Sequence, residues 1–233
     1  YGALTNNTFS IGLETGYLSS NSKDLIDISG STLIIKEDEN LIPNIYIDMM
    51  SVSSLPATFK ILEGLPKKYQ IPENLLSLKI KGISLANTKL SFPLENKLQE
   101  KQISFSTFAE LKSISSNHIM GKKNFFAKNL YLRADDNGMS IQGEVNVGEL
   151  SIIVDWKKSF ELNKVRDSKL EGKVTISNTV LSALGLNLPE LKLLGETTVD
   201  ISMLFKEGSP PVFRIKSDLK GLGMSLEKIG WEK

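Results

Sequence analysis

Hydrophobic and polar residues alternate along much of this chain, most regularly in DDNGMSIQGEVNVGELSIIVDW, residues 135–156. Met139, Ile141, Val145 and Val147 take one parity, and Ser140, Gln142, Glu144 and Asn146 take the other. After Gly148 the pattern resumes with Leu150, Ile152, Val154 and Trp156. A period of two marks a strand that hides one face from water. The same signature recurs at Phe9, Ile11 and Leu13, at Leu33 and Ile35, and at Ile45, Ile47 and Met49. It returns at Val174 and Ile176, at Val199, Ile201, Met203 and Phe205, and at Phe213 and Ile215. Clean alternation favours antiparallel strands with one wet face, since buried parallel strands read as unbroken apolar runs.

Turn residues punctuate these runs. Asn137-Gly138 reads as a hairpin turn because both residues tolerate positive φ. Gly208-Ser209-Pro210-Pro211 separates two further strands. In LLSLKIKGISLAN the alternation changes phase at Gly82, from Leu76, Leu78 and Ile80 to Ile83 and Leu85. A bulge at that glycine would keep both halves on one side. Helical signal is confined to SLPATFKILEGLP, with Ser54 as N-cap and Gly64 as stop, and to NTVLSALGLNLP, capped by Asn178 and closed at Gly185. The expected fold is mainly β: one long, curved antiparallel sheet forming an apolar groove or open taco, with a few short helices. Residues 1–233 read as one unit, with a soft boundary expected near 115–124, where SISSNHIMGKKN is weakly patterned.

Composition narrows the functions available. Lys and Arg number 28 against 27 Asp and Glu, a net charge of +1. Such a balance offers no field for nucleic acid or acidic substrates. The absence of cysteine excludes disulfides, thiolate nucleophiles and Cys-based metal sites. No apolar run reaches the ~20 residues of a membrane-spanning helix. The chain opens on Tyr1, without an initiator Met, and is expected to be a piece of a longer protein.

Catalytic constellations are missing. His118 is the single histidine and lies in a polar stretch, so it reads as a solvated loop residue. No HExxH, GxSxG, phosphate-loop or dinucleotide motif occurs. Asp135-Asp136-Asn137-Gly138 lacks the spaced ligands and closing Glu of a calcium loop and joins two strand-like runs. No metal, cofactor or enzyme activity is expected. The pairs Lys67-Lys68, Lys122-Lys123 and Lys157-Lys158 each border an apolar run. They suit either anionic lipid headgroups or solvated strand ends that discourage edge pairing.

The final segment, FRIKSDLKGLGMSLEKIGWEK (213–233), resembles the AsmA-like superfamily of bacterial envelope proteins, in its YhdP-like branch, which neighbours TamB and AsmA itself. Asp218-Leu219, Gly221, Met224 with Leu226, and Gly230-Trp231-Glu232-Lys233 carry the resemblance. LYLRADDNGMSIQGEVNVGELSIIVDW looks like that family's hairpin, with bends at Gly143 and Gly148 and an aromatic end at Trp156. LSALGLNLPELKLLGETTVDISM resembles the segment between them; the first half of the chain is only compatible with the pattern. Lys220 stands where many relatives carry Thr. The resemblance implies a periplasmic protein, anchored to the inner membrane by a helix outside this chain. It also implies an apolar trough that passes phospholipids toward the outer membrane, with other envelope proteins as possible partners.

Two readings of the apolar ribbons follow. In the first, Met139, Ile141, Val145, Val147, Ile152, Val154, Val199, Ile201 and Met203 line a groove for phospholipid acyl chains. In the second, a scaffolding β-sandwich buries the same residues against protein and carries no ligand.

Overall fold

The computed structural model describes residues 1–5, 7–19, 25–37, 42–66, 69–71, 76–119, 123–148, 150–161, 168–177, 191–206, 209, 212–226 and 231–232. Within them the strands are β1 (Gly2–Thr5), β2 (Thr8–Gly12), β3 (Tyr17–Ser19), β4 (Leu25–Asp27), β5 (Thr32–Glu37), β6 (Pro43–Ser54), β7 (Lys81–Pro93) and β8 (Ser104–Ile119). They continue with β9 (Lys123–Asp135), β10 (Gly138–Val147), β11 (Leu150–Ser159), β12 (Ser168–Ser177), β13 (Leu191–Phe205), β14 (Val212–Lys216), β15 (Leu222–Leu226) and β16 (Trp231–Glu232). They form one antiparallel sheet in the order β1-β2-β5-β6-β7-β8-β9-β10-β11-β12-β13-β15-β16. β14 lies beside β13, and the β3–β4 hairpin joins through β4 to β6. The sheet does not close on itself. The fold class read from the alternation is therefore correct.

Between β6 and β7 stands α1 (Leu55–Leu62). Ser54 caps it as its sequence position suggests, Oγ accepting from the Ala57 amide at 3.3 Å. The helix buries Leu55 and Ala57. Residues 178–189, the second expected helix, lie outside the described residues. Through 115–119, pairing of β8 with β9 continues at Ser115, Ser116 and Ile119.

The hairpin at residue 137 forms one position earlier than expected. Gly138 already pairs with Asp135, leaving Asp136-Asn137 in the turn, and neither Asn137 nor Gly138 adopts positive φ. The Asp135 carboxylate replaces that conformation, accepting from the amides of Asn137 at 2.8 Å and Gly138 at 3.2 Å. Gly148 is also not a bend within a strand. It sits at φ 63° in the turn between β10 and β11, so the ribbon 139–156 is a hairpin of two strands.

A line of irregularities crosses four adjacent strands. Register shifts between Lys81 and Ile83 on β7, Ser113 on β8 has φ 52°, and Gly143 on β10 has φ 153° beside a shift against β9. Leu111 and Ile114, three residues apart, are consequently both buried, as are Ala127 and Leu130. In a regular strand such pairs would point to opposite faces. The bulge at Gly82 is present, but it turns the core side toward Ser84 and Ala86 and leaves Ile83 48% exposed. The expectation that Ile83 and Leu85 continue the buried face fails there.

Among the described residues the buried core is small. Leu55, Ala109, Leu111, Ile114, Ala127, Leu130 and Val145 form its buried cluster. Accessible surface is 15442 Å², where a compact monomer of 25.8 kDa exposes about 10,500 Å².

Candidate functional site: one apolar face and its strap

Register places the sequence-predicted residues on a single face. One row runs Ile141–Trp156–Leu170–Met203–Phe213 across β10 to β14. The next runs Gly143–Val154–Gly172–Ile201–Ile215, and a third Val145–Ile152–Val174–Val199. Val147 and Met139 lie beyond these rows on the same parity, opposite Leu150 and Lys158. Toward the N-terminus the face continues through Leu132 and Ala109, then Ile47 and Leu33. The opposite face carries Lys173, Glu171, Lys169 and Asp200, in solvent.

These rows are neither uniformly open nor uniformly filled. Val145, Val147 and Val199 are buried, whereas Met139, Ile141, Ile152, Val154, Ile201 and Met203 are half-buried. Ile141, Ile152 and Val154 pack against the central cluster. Beside them, at the β14 end, Phe213 and Ile215 are exposed at 52% and 61%. Gly172 lets the rows close up: a Cβ there would lie 3.2 Å from both Ile152 Cγ2 and Ile201 Cγ1.

A strap between α1 and β7 covers one end of this face, a placement that no hydrophobic pattern in the chain predicts. Tyr69 stands edge-on to Phe105 at 5.5 Å and to Phe160 at 5.1 Å between ring centroids. Phe105 belongs to β8 and Phe160 follows β11, strands about 14 Å apart in a flat sheet. One ring reaches both because the sheet curls toward this face. Gln70 holds the strap's shape, its Nε2 donating to the carbonyls of Glu63 at 2.9 Å and Leu65 at 2.8 Å. Ser116 Oγ donates to the Leu78 carbonyl and pins the other end.

The Lys157-Lys158 pair divides between the faces. Lys157 Nζ meets Asp155 Oδ2 at 2.8 Å on the polar side, and that hydrogen bond and charge hold its pKa above the usual lysine value. Lys158 is 9% exposed on the apolar side. Its Nζ donates to the Gln70 carbonyl at 3.1 Å and lies 5.7 Å from the Phe160 ring centroid. Burial pushes its pKa down. Strict alternation from Leu150 through Trp156 to Lys158 was the available signal for this placement. Lys67-Lys68 and Lys122 lie outside the described residues, as do the side chains of His118 and Lys123.

A cavity of about 670 Å³ lies mainly over the polar face and is lined by Lys89, Phe108, Arg133, Ser140 and Lys157. Phe108 stacks on Tyr131 at 6.4 Å, with the Arg133 guanidinium 5.2 Å from the Phe108 centroid. The parity of both rings assigns them to the wet face. No helix among the described residues is long and apolar enough to cross a membrane. No family model matches the chain, and neither a curated protein nor a solved structure matches it.

Proposed function

We propose that this protein is a non-enzymatic lipid-binding segment whose apolar face shelters phospholipid acyl chains and lets them move along the sheet. The observation that carries the reading is the run of apolar rows from β10 to β14, half-buried in the middle and exposed at Phe213 and Ile215. Exposing an acyl chain to water costs about 0.8 kcal/mol per CH₂, so a 16-carbon chain needs on the order of 10 kcal/mol of shelter. Aliphatic rows supply it without directional bonds, so translation from row to row meets a low barrier. The resemblance of 213–233 and of the 130–156 hairpin to AsmA-like proteins supports a periplasmic setting, an inner-membrane anchor and transfer toward the outer membrane.

A scaffolding role is favoured by a different observation: Val145, Val147 and Val199 are already buried by protein. The two readings separate in one measurement, mass spectrometry of lipids extracted from the gently purified protein. Phospholipid at a fixed ratio to protein supports the conduit. Its absence, together with unchanged lipid transfer between vesicles by Ile201→Asp, supports the scaffold.

A further inference from the structure

Among strand residues from β6 to β13 whose side chains are described, Lys158 is the one Lys, Arg, Asp or Glu on the apolar face. Its neighbours across the sheet are Met139 and Ser168, and the row Ile141–Trp156–Leu170–Met203 begins one step inward. An ammonium has three donors. One reaches the Gln70 carbonyl at 3.1 Å, and no other protein acceptor meets the group among the described residues. A buried cation with spare donors is costly unless an anion comes to it.

We propose that Lys158 recognises the phosphate of a phospholipid headgroup, whose acyl chains then lie along the rows that start at Ile141. This assignment rests on the lipid reading above. A phosphate oxygen makes a shorter and stronger charge-assisted bond than a carbonyl does, so it takes the donors that the Gln70 carbonyl leaves spare. Gln70 is itself tied to Glu63 and Leu65, so the carbonyl that orients the ammonium is held in place while the remaining donors meet the phosphate. From Lys158 to Leu150 the face runs about 26 Å along β11. That exceeds the roughly 15 Å allotted to the chains of one leaflet in a bilayer core of about 30 Å.

The alternative for this residue is a strap lock, in which the ammonium serves only as a donor to Gln70. The two differ in whether positive charge is needed. The test measures binding of dioctanoyl phosphatidylglycerol, dioctanoylglycerol and inorganic phosphate to the protein by calorimetry. The wild type is expected to bind the phospholipid about tenfold more tightly than the uncharged diacylglycerol, the scale of one charged hydrogen bond. Lys158→Gln, which keeps a donor, should lose that preference while binding diacylglycerol unchanged, and Lys158→Arg should retain it. Equal binding of both lipids by the wild type overturns the headgroup assignment without recourse to any variant. Full preference in Lys158→Gln overturns it as well and leaves the lipid reading standing. Binding of neither lipid overturns the lipid reading itself. Inorganic phosphate competing as effectively as the phospholipid overturns the lipid source and makes this a free-anion site.

Discussion

Lys157 and Lys158 are neighbours in sequence, yet Lys157 Nζ meets Asp155 in the open at 2.8 Å while Lys158 Nζ lies buried against Gln70 at 3.1 Å. Their titrations act on stability in opposite senses. The folded pKa of Lys158 is lowered from 10.5 by burial, so the unfolded chain binds more protons in the window just below 10.5. Stability should therefore rise as pH climbs through that window. The folded pKa of Lys157 is raised from 10.5, chiefly by its bond to Asp155, so its contribution is intact below 10.5 and fades above it. Urea unfolding followed between about pH 8 and pH 11 should show a rise and then a decline. Lys158→Met should abolish the rise and leave the decline; a rise that survives the substitution assigns it elsewhere.

The strap is the second place where a single side chain matters. Tyr69 presents its ring to both Phe105 and Phe160 at interplanar angles of 86° and 82°. Edge-to-face pairs contribute about 0.5–1.5 kcal/mol each beyond buried area, so Tyr69→Ala should destabilise the fold by about 2–4 kcal/mol. A double-mutant cycle with Phe160→Leu should return a coupling of about 1 kcal/mol. Coupling near zero would mean that the strap does not hold the sheet in its curl.

Much of this architecture is legible in the sequence. Alternation identifies β2, β5, β6, β10, β11, β12, β13 and β14, and parity alone puts Ile141, Val154 and Ile201 on one side. What parity cannot supply is what lies across from a face. Lys158 meets Gln70 across 88 residues of chain, and Tyr69 enters from a segment with no regular pattern. The bulge line is half legible: Gly82 and Gly143 announce it, but Ser113 carries no such signal and takes φ 52° within a strand. Residues beyond such a point change face, which is how Ile83 comes to be 48% exposed although it follows an apolar run.

The glycines at 143 and 148 are separable by experiment. A Cβ on Gly143 would fall 2.8 Å from the Asn129 carbonyl and 2.7 Å from Leu130 Cδ2, at φ 153°. At Gly148, with φ 63°, a Cβ would meet nothing within 4 Å. Gly148→Ala should thus cost about 1 kcal/mol, the left-handed penalty alone. Gly143→Ala should cost about 3 kcal/mol or more, since strain and a clash with strand backbone add. Thermal unfolding of the two variants checks the order, and equal losses would show that the bulge line relaxes freely.

Two isoleucines offer a comparison in which stability is held nearly constant. Ile215 on β14 is 61% exposed and belongs to the apolar rows through its pairing with Ile201. Ile153 on β11 is 64% exposed and points to the other face, opposite Lys173. Neither side chain is deeply packed, so replacing either with Asp should change stability by only about 0.5 kcal/mol. If acyl chains travel along the rows, a carboxylate at 215 interrupts an apolar path, whereas one at 153 joins a face already lined with charge. Ile215→Asp should therefore lower the phospholipid recovered with the protein and slow transfer between vesicles, and Ile153→Asp should do neither. Equal effects from the two substitutions would detach lipid binding from this face, because exposure and side-chain chemistry are matched while the side of the sheet differs.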